Sequence, residues 1–171
     1  MPISRIISGG QTGADRGGLD AAIACNVPHG GWCPKGRKAE DGVIPAMYLL
    51  QESTSASYTV RTEANVRDSD ATVVFTLGPA TGGSLKTIEF CHKHKKPCLH
   101  INLQRIDITM AVAMVIDWLE GRGGYEYEGG VAIKPFTNCV LNVAGSRESK
   151  AAGIQEMVRM VMVEVVKVVG G

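Results

Sequence analysis

Three short stretches hold the residues best suited to chemistry. The first is Ser8-Gly9-Gly10-Gln11-Thr12-Gly13-Ala14-Asp15-Arg16, set between an apolar run and an amphipathic one. Glycines let the backbone take positive φ and let a ligand come close. A helix starting just after them presents unpaired N–H groups and a partial positive charge. Such a turn suits an anion, phosphate above all. The second stretch, Thr81-Gly82-Gly83-Ser84-Leu85-Lys86-Thr87, repeats the device, and Ala144-Gly145-Ser146-Arg147-Glu148-Ser149 repeats it again. The candidate ligand contacts are therefore Gly9, Gly10, Gln11, Thr12, Gly13, Gly82, Gly83, Ser84, Thr87, Gly145 and Ser146. The plain alternative at each turn is a helix cap. Thr12 and Asp15 have the spacing of a capping box, and Ser84 could do no more than cap. Neither G-x-x-x-x-G-K-[ST] nor G-x-G-x-x-G occurs, which disfavours a standard nucleoside triphosphate or NAD loop.

Charged side chains extend the set. Lys35, Arg37 and Lys38 form a basic group that could meet phosphate by charge-assisted hydrogen bonds, or stand idle on a solvated loop. Asp15 argues against an anion beside it, and could instead serve a cap, pair with Arg16 or hold a cation. Arg61 and Glu89 are the best catalytic pair available: an arginine and a carboxylate flanking a sugar could stabilise charge during glycosidic cleavage. The competing reading puts Glu89 on a helix surface and leaves Arg61 in a local pair. His92, His94 and His100 invite a metal reading, but positions i and i+2 do not share a helix face, so no metal site is assigned.

The elements that must position these residues follow from periodicity. Strands are expected at Ile3 to Ile7, Val27 to Cys33, Ala71 to Leu77, Cys98 to Leu103 and Cys139 to Val143. Ala71 to Leu77 is β-branched and apolar throughout, as in a parallel strand buried on both faces. Helices are expected at Asp15 to Cys25, Arg61 to Asp68, from Leu85 past Cys91, around Val112 to Leu119, and from Lys150 to Val168. Pro34 to Gly42 reads as a polar loop and Ser53 to Tyr58 as irregular, while Ile44 to Leu50 could be helix or strand. Gly121 to Asn138 reads as a long loop or a hairpin. Strands alternating with helices predict a single Rossmann-like α/β domain, its mainly parallel sheet covered by helices on both faces. All three glycine turns follow strands, so they should share the carboxyl edge of the sheet, where such folds bind ligands. The last helix is apolar around most of its girth, from Ile154 to Val169, which predicts a buried position and a homo-oligomer.

Composition bounds the rest. The chain has 171 residues and a net charge of +1, so no general nucleic-acid surface is expected. No apolar run would span a bilayer and no secretory leader is evident. Five scattered cysteines without a C-x-x-C pair fit free thiols in a reducing cytoplasm.

Two motifs, Ile7 to Arg16 and Gly31-Trp32-Cys33-Pro34-Lys35-Gly36-Arg37-Lys38-Ala39-Glu40-Asp41-Gly42, resemble the molybdenum carrier family. Arg61-Thr62 to Asn65-Val66, Asp68-Ser69-Asp70, Gly82-Gly83-Ser84 to Thr87, and Leu141 to Ser149 extend the resemblance over nearly the whole chain. The resemblance implies a Rossmann-like carrier of molybdenum cofactor, a pterin bearing a phosphate and a molybdenum centre, which it protects and delivers to a molybdoenzyme without catalysis. The glycine turns are also similar to those of the lonely-guy and lysine-decarboxylase-like phosphoribohydrolases. In those enzymes an arginine precedes a glycine loop and a glutamate follows it, the order of Arg61, Gly82-Gly83 and Glu89 here. Leu85 and Lys86 stand where those enzymes carry Gly-Thr, which ranks binding above hydrolysis.

Overall fold

The computed structural model describes residues 2–122 and 135–170. Much of the segment from Gly121 to Asn138 thus lies outside the described residues. Five strands form the central sheet: β1 (Ile3–Ile7), β2 (His29–Gly30), β7 (Ala71–Thr76), β8 (Cys98–Asn102) and β9 (Cys139–Gly145). The remaining strands are short: β3 (Trp32–Cys33) pairs with β6 (Gln51–Glu52), and β4 (Lys38–Ala39) with β5 (Gly42–Val43). The helices are α1 (Ala14–Ala24), α2 (Tyr58–Asp68), α3 (Gly82–Lys93), α4 (Ile108–Leu119) and α5 (Ile154–Gly170), with a 3-10 turn at Glu148–Lys150.

The central sheet has the order β2-β1-β9-β7-β8, and every pairing in it is parallel. The fold is α/β and Rossmann-like. β7 is buried at all six positions, as its β-branched run requires. Its alternate residues feed two cores. Val73 and Phe75 join a large cluster with α1, α4 and α5, while Val74 joins Val66 of α2 and Ile88, Phe90 and Cys91 of α3 on the opposite face. A third small core of Leu19, Cys33, Ala39, Ile44 and Tyr48 roots the 32–52 segment on α1.

Much of the broad apolar face of α5 is buried within the chain, while Met160 and Val168 stay exposed. Ile154, Val158, Val161, Met162, Val165, Val166 and Val169 are buried, and α5 packs against both α1 and α4. The approach of α1 is close because it carries Gly17 and Gly18. A Cβ on Gly17 would stand 2.5 Å from the Gln155 carbonyl oxygen, and one on Gly18 would stand 2.6 Å from Val143 Cβ.

Three local expectations are corrected. The Val27 to Cys33 run is not one strand: Gly31, at φ +120, turns the chain out of the central sheet after β2, and Trp32–Cys33 pairs with β6 instead. The 44–50 segment is neither helix nor strand but a turn. It is held by Arg37, whose guanidinium donates to the carbonyls of Ile44, Pro45, Tyr48 and Leu50. Helix α5 begins at Ile154, after the 3-10 turn, because Gly153 adopts φ +88 between them.

Candidate functional site

β9 lies between β1 and β7, so the turns that leave these three strands are neighbours at one edge of the sheet. Above them lies a pocket of about 300 Å³. Gly9, Gln11 and Asp15 line it from the first turn, Thr81 to Ser84 with Lys86 and Thr87 from the second, and Gly145 to Arg147 with Lys150 from the third. Helix α2 closes the side with Tyr58, Thr59, Arg61, Thr62 and Asn65.

The two helix amino ends beside the pocket differ. That of α1 is filled by the protein. The Gly13 N–H donates to Gln155 Oε1 at 3.4 Å, and the Ala14 N–H donates to the Ser146 carbonyl at 3.0 Å. Gly13 sits at φ +84, and a Cβ there would lie 2.3 Å from the Ser146 oxygen, so the third turn is pressed into the end of α1. The expected capping box is absent. Gly13 occupies the N-cap, the Thr12 hydroxyl donates to Glu40 and accepts the Glu148 N–H at 3.2 Å, and Asp15 accepts the Gln11 N–H at 3.2 Å. The amino end of α3 is different: no side chain caps it, and a Cβ on Gly82 or Gly83 would meet nothing within 4 Å. The Ser84 and Leu85 N–H groups donate back to the Thr81 carbonyl at 3.1 and 3.4 Å, so the open positions at this end are Gly82 and Gly83, and the partial positive charge of α3 lies beside the pocket.

Arg61 lies along the pocket floor. Its guanidinium rests on Gly9, where a Cβ would be 2.7 Å from Cζ. Nη1 donates to Thr62 Oγ1 at 2.6 Å, Nη2 stands 3.8 Å from Asp15 Oδ2, and Nε is buried without a hydrogen-bond partner. Burial pushes the Asp15 carboxyl above its ordinary range, against the opposing pull of Arg61 and of the Gln11 N–H. Among the described lining residues, Arg61, Lys86, Arg147 and Lys150 thus meet a single carboxylate, that of Asp15, itself buried. Among the described residues no cysteine, histidine or methionine lines the pocket.

Several predicted site residues stand elsewhere. Gly10 packs beneath the 44–50 turn, where a Cβ would lie 2.5 Å from Leu50 Cδ1. Arg37 is spent on carbonyls, Lys35 is exposed outside the lining, and Thr12 and Gly13 are buried outside it. Glu89 pairs with Lys86 at 3.1 Å on the exposed side of α3, so Arg61 and Glu89 are not brought together. Among the described residues no cluster of metal-holding side chains occurs, and His94 bonds Glu63 while His100 bonds Thr76. The lining residues that sequence reasoning missed, Tyr58, Thr59, Asn65, Asn142 and Lys150, lie on helix and strand faces rather than in glycine turns. Asn65 lies in a stretch that carries the family resemblance, whereas only the position of α2 reveals Tyr58.

A family model described as the circularly permutated YpsA SLOG family matches residues 6–166. The chain belongs to this family. Among solved structures, this SLOG chain is similar to the crystal structure of "Putative molybdenum carrier protein" from Syntrophus aciditrophicus. The two are 42% identical, the match covers 96% of each chain, and the TM-score is 0.81. No curated protein matches the sequence significantly. The matched stretch of the SLOG chain takes in all three turns and every residue of the pocket lining. No helix among the described residues is long and apolar enough to cross a membrane.

Proposed function

We propose that this chain is a carrier that binds a phosphate-bearing small molecule, molybdenum cofactor or a related pterin or nucleotide, and hands it to an acceptor such as a molybdoenzyme. The observation that carries this reading is the union, in one pocket, of an open helix amino end with four cations against one buried carboxylate. An anion belongs at such a place. The name of the similar crystal structure supports molybdenum as part of the cargo.

In this reading the phosphate sits at Gly82, Gly83 and Ser84, not at the filled end of α1. Gly145 and Ser146 shape the opposite wall, and Arg61 supplies the fixed charge beneath. With no thiol, imidazole or thioether among the described lining residues, the protein grips its cargo through cationic and hydrogen-bonding groups and leaves the metal unligated. A volume of about 300 Å³ is at the small end of ligand sites. It suits a single pterin or nucleotide.

Mass spectrometry of small molecules copurifying with the native protein should find a phosphate-bearing pterin or nucleotide. Calorimetry should then show that the compound rebinds. Incubation with nucleoside monophosphates should release no free base. Wild-type protein that binds neither the pterin phosphate nor any nucleotide overturns the carrier reading, and release of base restores the phosphoribohydrolase.

A further inference from the structure

The motif Gly31 to Gly42 carries much of the resemblance to the carrier family, yet none of its residues lines the pocket. Its side chains reach toward the elements that do. Lys38 Nζ stands 5.0 Å from the centre of the Tyr58 ring, and Asp41 makes a bidentate pair with Arg16 at 2.6 and 2.8 Å. Glu40 binds both turns that flank β1 and β9. One carboxylate oxygen accepts from the Thr12 hydroxyl and from the Ser149 N–H at 3.2 Å. The other accepts from Ser149 Oγ at 2.5 Å and lies 3.9 Å from Arg147 Nη1. The Glu40 N–H is itself held by Gln11 Oε1 at 2.9 Å, the atom that also accepts the Thr12 N–H. Glu40 thus ties together the first turn, the third turn and the motif.

We propose that Glu40 is a positioning residue for anion binding: it fixes the turn bearing Arg147 and Lys150 over the pocket without touching the ligand. The proposal rests on the carrier reading for the identity of the pocket. Its signature is the sign of the effect. Glu40 is a negative charge near a cationic site, so a purely electrostatic role predicts that removing it strengthens anion binding. A positioning role predicts that removing the side chain weakens binding, while removing only the charge does not. Glu40→Gln keeps an acceptor and adds an NH2 that a hydroxyl oxygen can accept, so it can retain the latch.

The test measures inorganic phosphate binding by calorimetry for wild type, Glu40→Gln, Glu40→Ala, Arg147→Ala and the Glu40→Ala/Arg147→Ala double variant. Amide hydrogen exchange at Ser149 is read in the free proteins. Glu40→Ala should bind phosphate about fivefold more weakly, the loss of one well-placed charge contact, and Glu40→Gln at least as tightly as wild type. The double variant should bind no more weakly than the weaker single one, because the latch acts through Arg147. Exchange at Ser149 should accelerate in Glu40→Ala. Tighter binding by Glu40→Ala, or losses that multiply in the double variant, overturns the positioning role. Unchanged exchange at Ser149 overturns the latch itself, whatever phosphate does. Accelerated exchange in a protein whose wild type binds no phosphate overturns the pocket reading and leaves Glu40 a structural tie alone.

Discussion

Glycines in similar local sequences do opposite work in this chain. Gly145 has φ +149, and a Cβ there would lie 1.9 Å from the Phe75 carbonyl oxygen, which accepts the Ser146 N–H at 2.9 Å. Gly145→Ala should therefore cost about 2–4 kcal/mol of stability, read by urea denaturation. Gly83 faces open space in the pocket. Gly83→Val should leave the fold nearly as stable, within about 1 kcal/mol, while abolishing phosphate affinity by calorimetry. A folded Gly83→Val protein with wild-type affinity would remove the phosphate from the end of α3. Asp15 gives a pH test. Burial raises its folded-state value above the unfolded one, so its proton favours the fold at low pH. That contribution fades as pH rises through the folded value. Asp15→Asn lacks this dependence. Its stability relative to wild type should improve as pH rises above about 4, and a flat difference there would refute the assignment.

At the level of elements, the 32–52 segment has ladders of its own only two residues long. Such ladders do not stand alone. Arg37 supplies the missing order by donating to four carbonyls of the 44–50 turn, and the turn buries Ile44 and Tyr48 against Leu19. Arg37→Ala should cost about 1.5–3 kcal/mol, with faster amide exchange at Tyr48 and Leu50. Exchange at those amides equal to wild type would show that the small core alone suffices. The amino ends of α1 and α3 show how context decides an element's role. Both follow glycine turns after parallel strands, but the first receives the Ser146 carbonyl and the Gln155 side chain.

Over the whole molecule the charge is nearly balanced, at +1, so attraction of an anion is a property of one pocket and not of the protein's overall field. Ligand affinity should fall modestly with salt, because Lys86 and Arg147 are half-exposed while Arg61 is not. Acid acts on the scaffold as well. The Glu40 carboxyl loses free energy to desolvation but gains more from the Ser149 and Thr12 hydrogen bonds, and the Arg16 guanidinium draws Asp41 down. Both end below their ordinary values, so their contributions are present above the unfolded values and vanish as pH falls through the folded ones. Fold stability should therefore decline below about pH 4, followed by urea denaturation across pH 3 to 7, and stability undiminished at pH 3 would count against these two pairings.

The order of elements and the parallel sheet were legible in the sequence because hydrophobic period and β-branching are local signals. The buried run of β7 and the amphipathic α3 needed no tertiary information. The glycine turns were legible for the same reason, since each punctuates a strand. Tertiary structure decided what each turn is for. Whether a helix end is free depends on what packs against it, and the Ser146 carbonyl comes to Ala14 from across the sheet. Glu89 and Arg61 stand in the right order along the chain, but helical phase turns Glu89 outward to Lys86. The breadth of the α5 face was visible in the sequence, but how much of it the chain covers itself was not: α1 and α4 bury Ile154, Val158, Val161, Met162, Val165, Val166 and Val169, while Met160 and Val168 stay exposed.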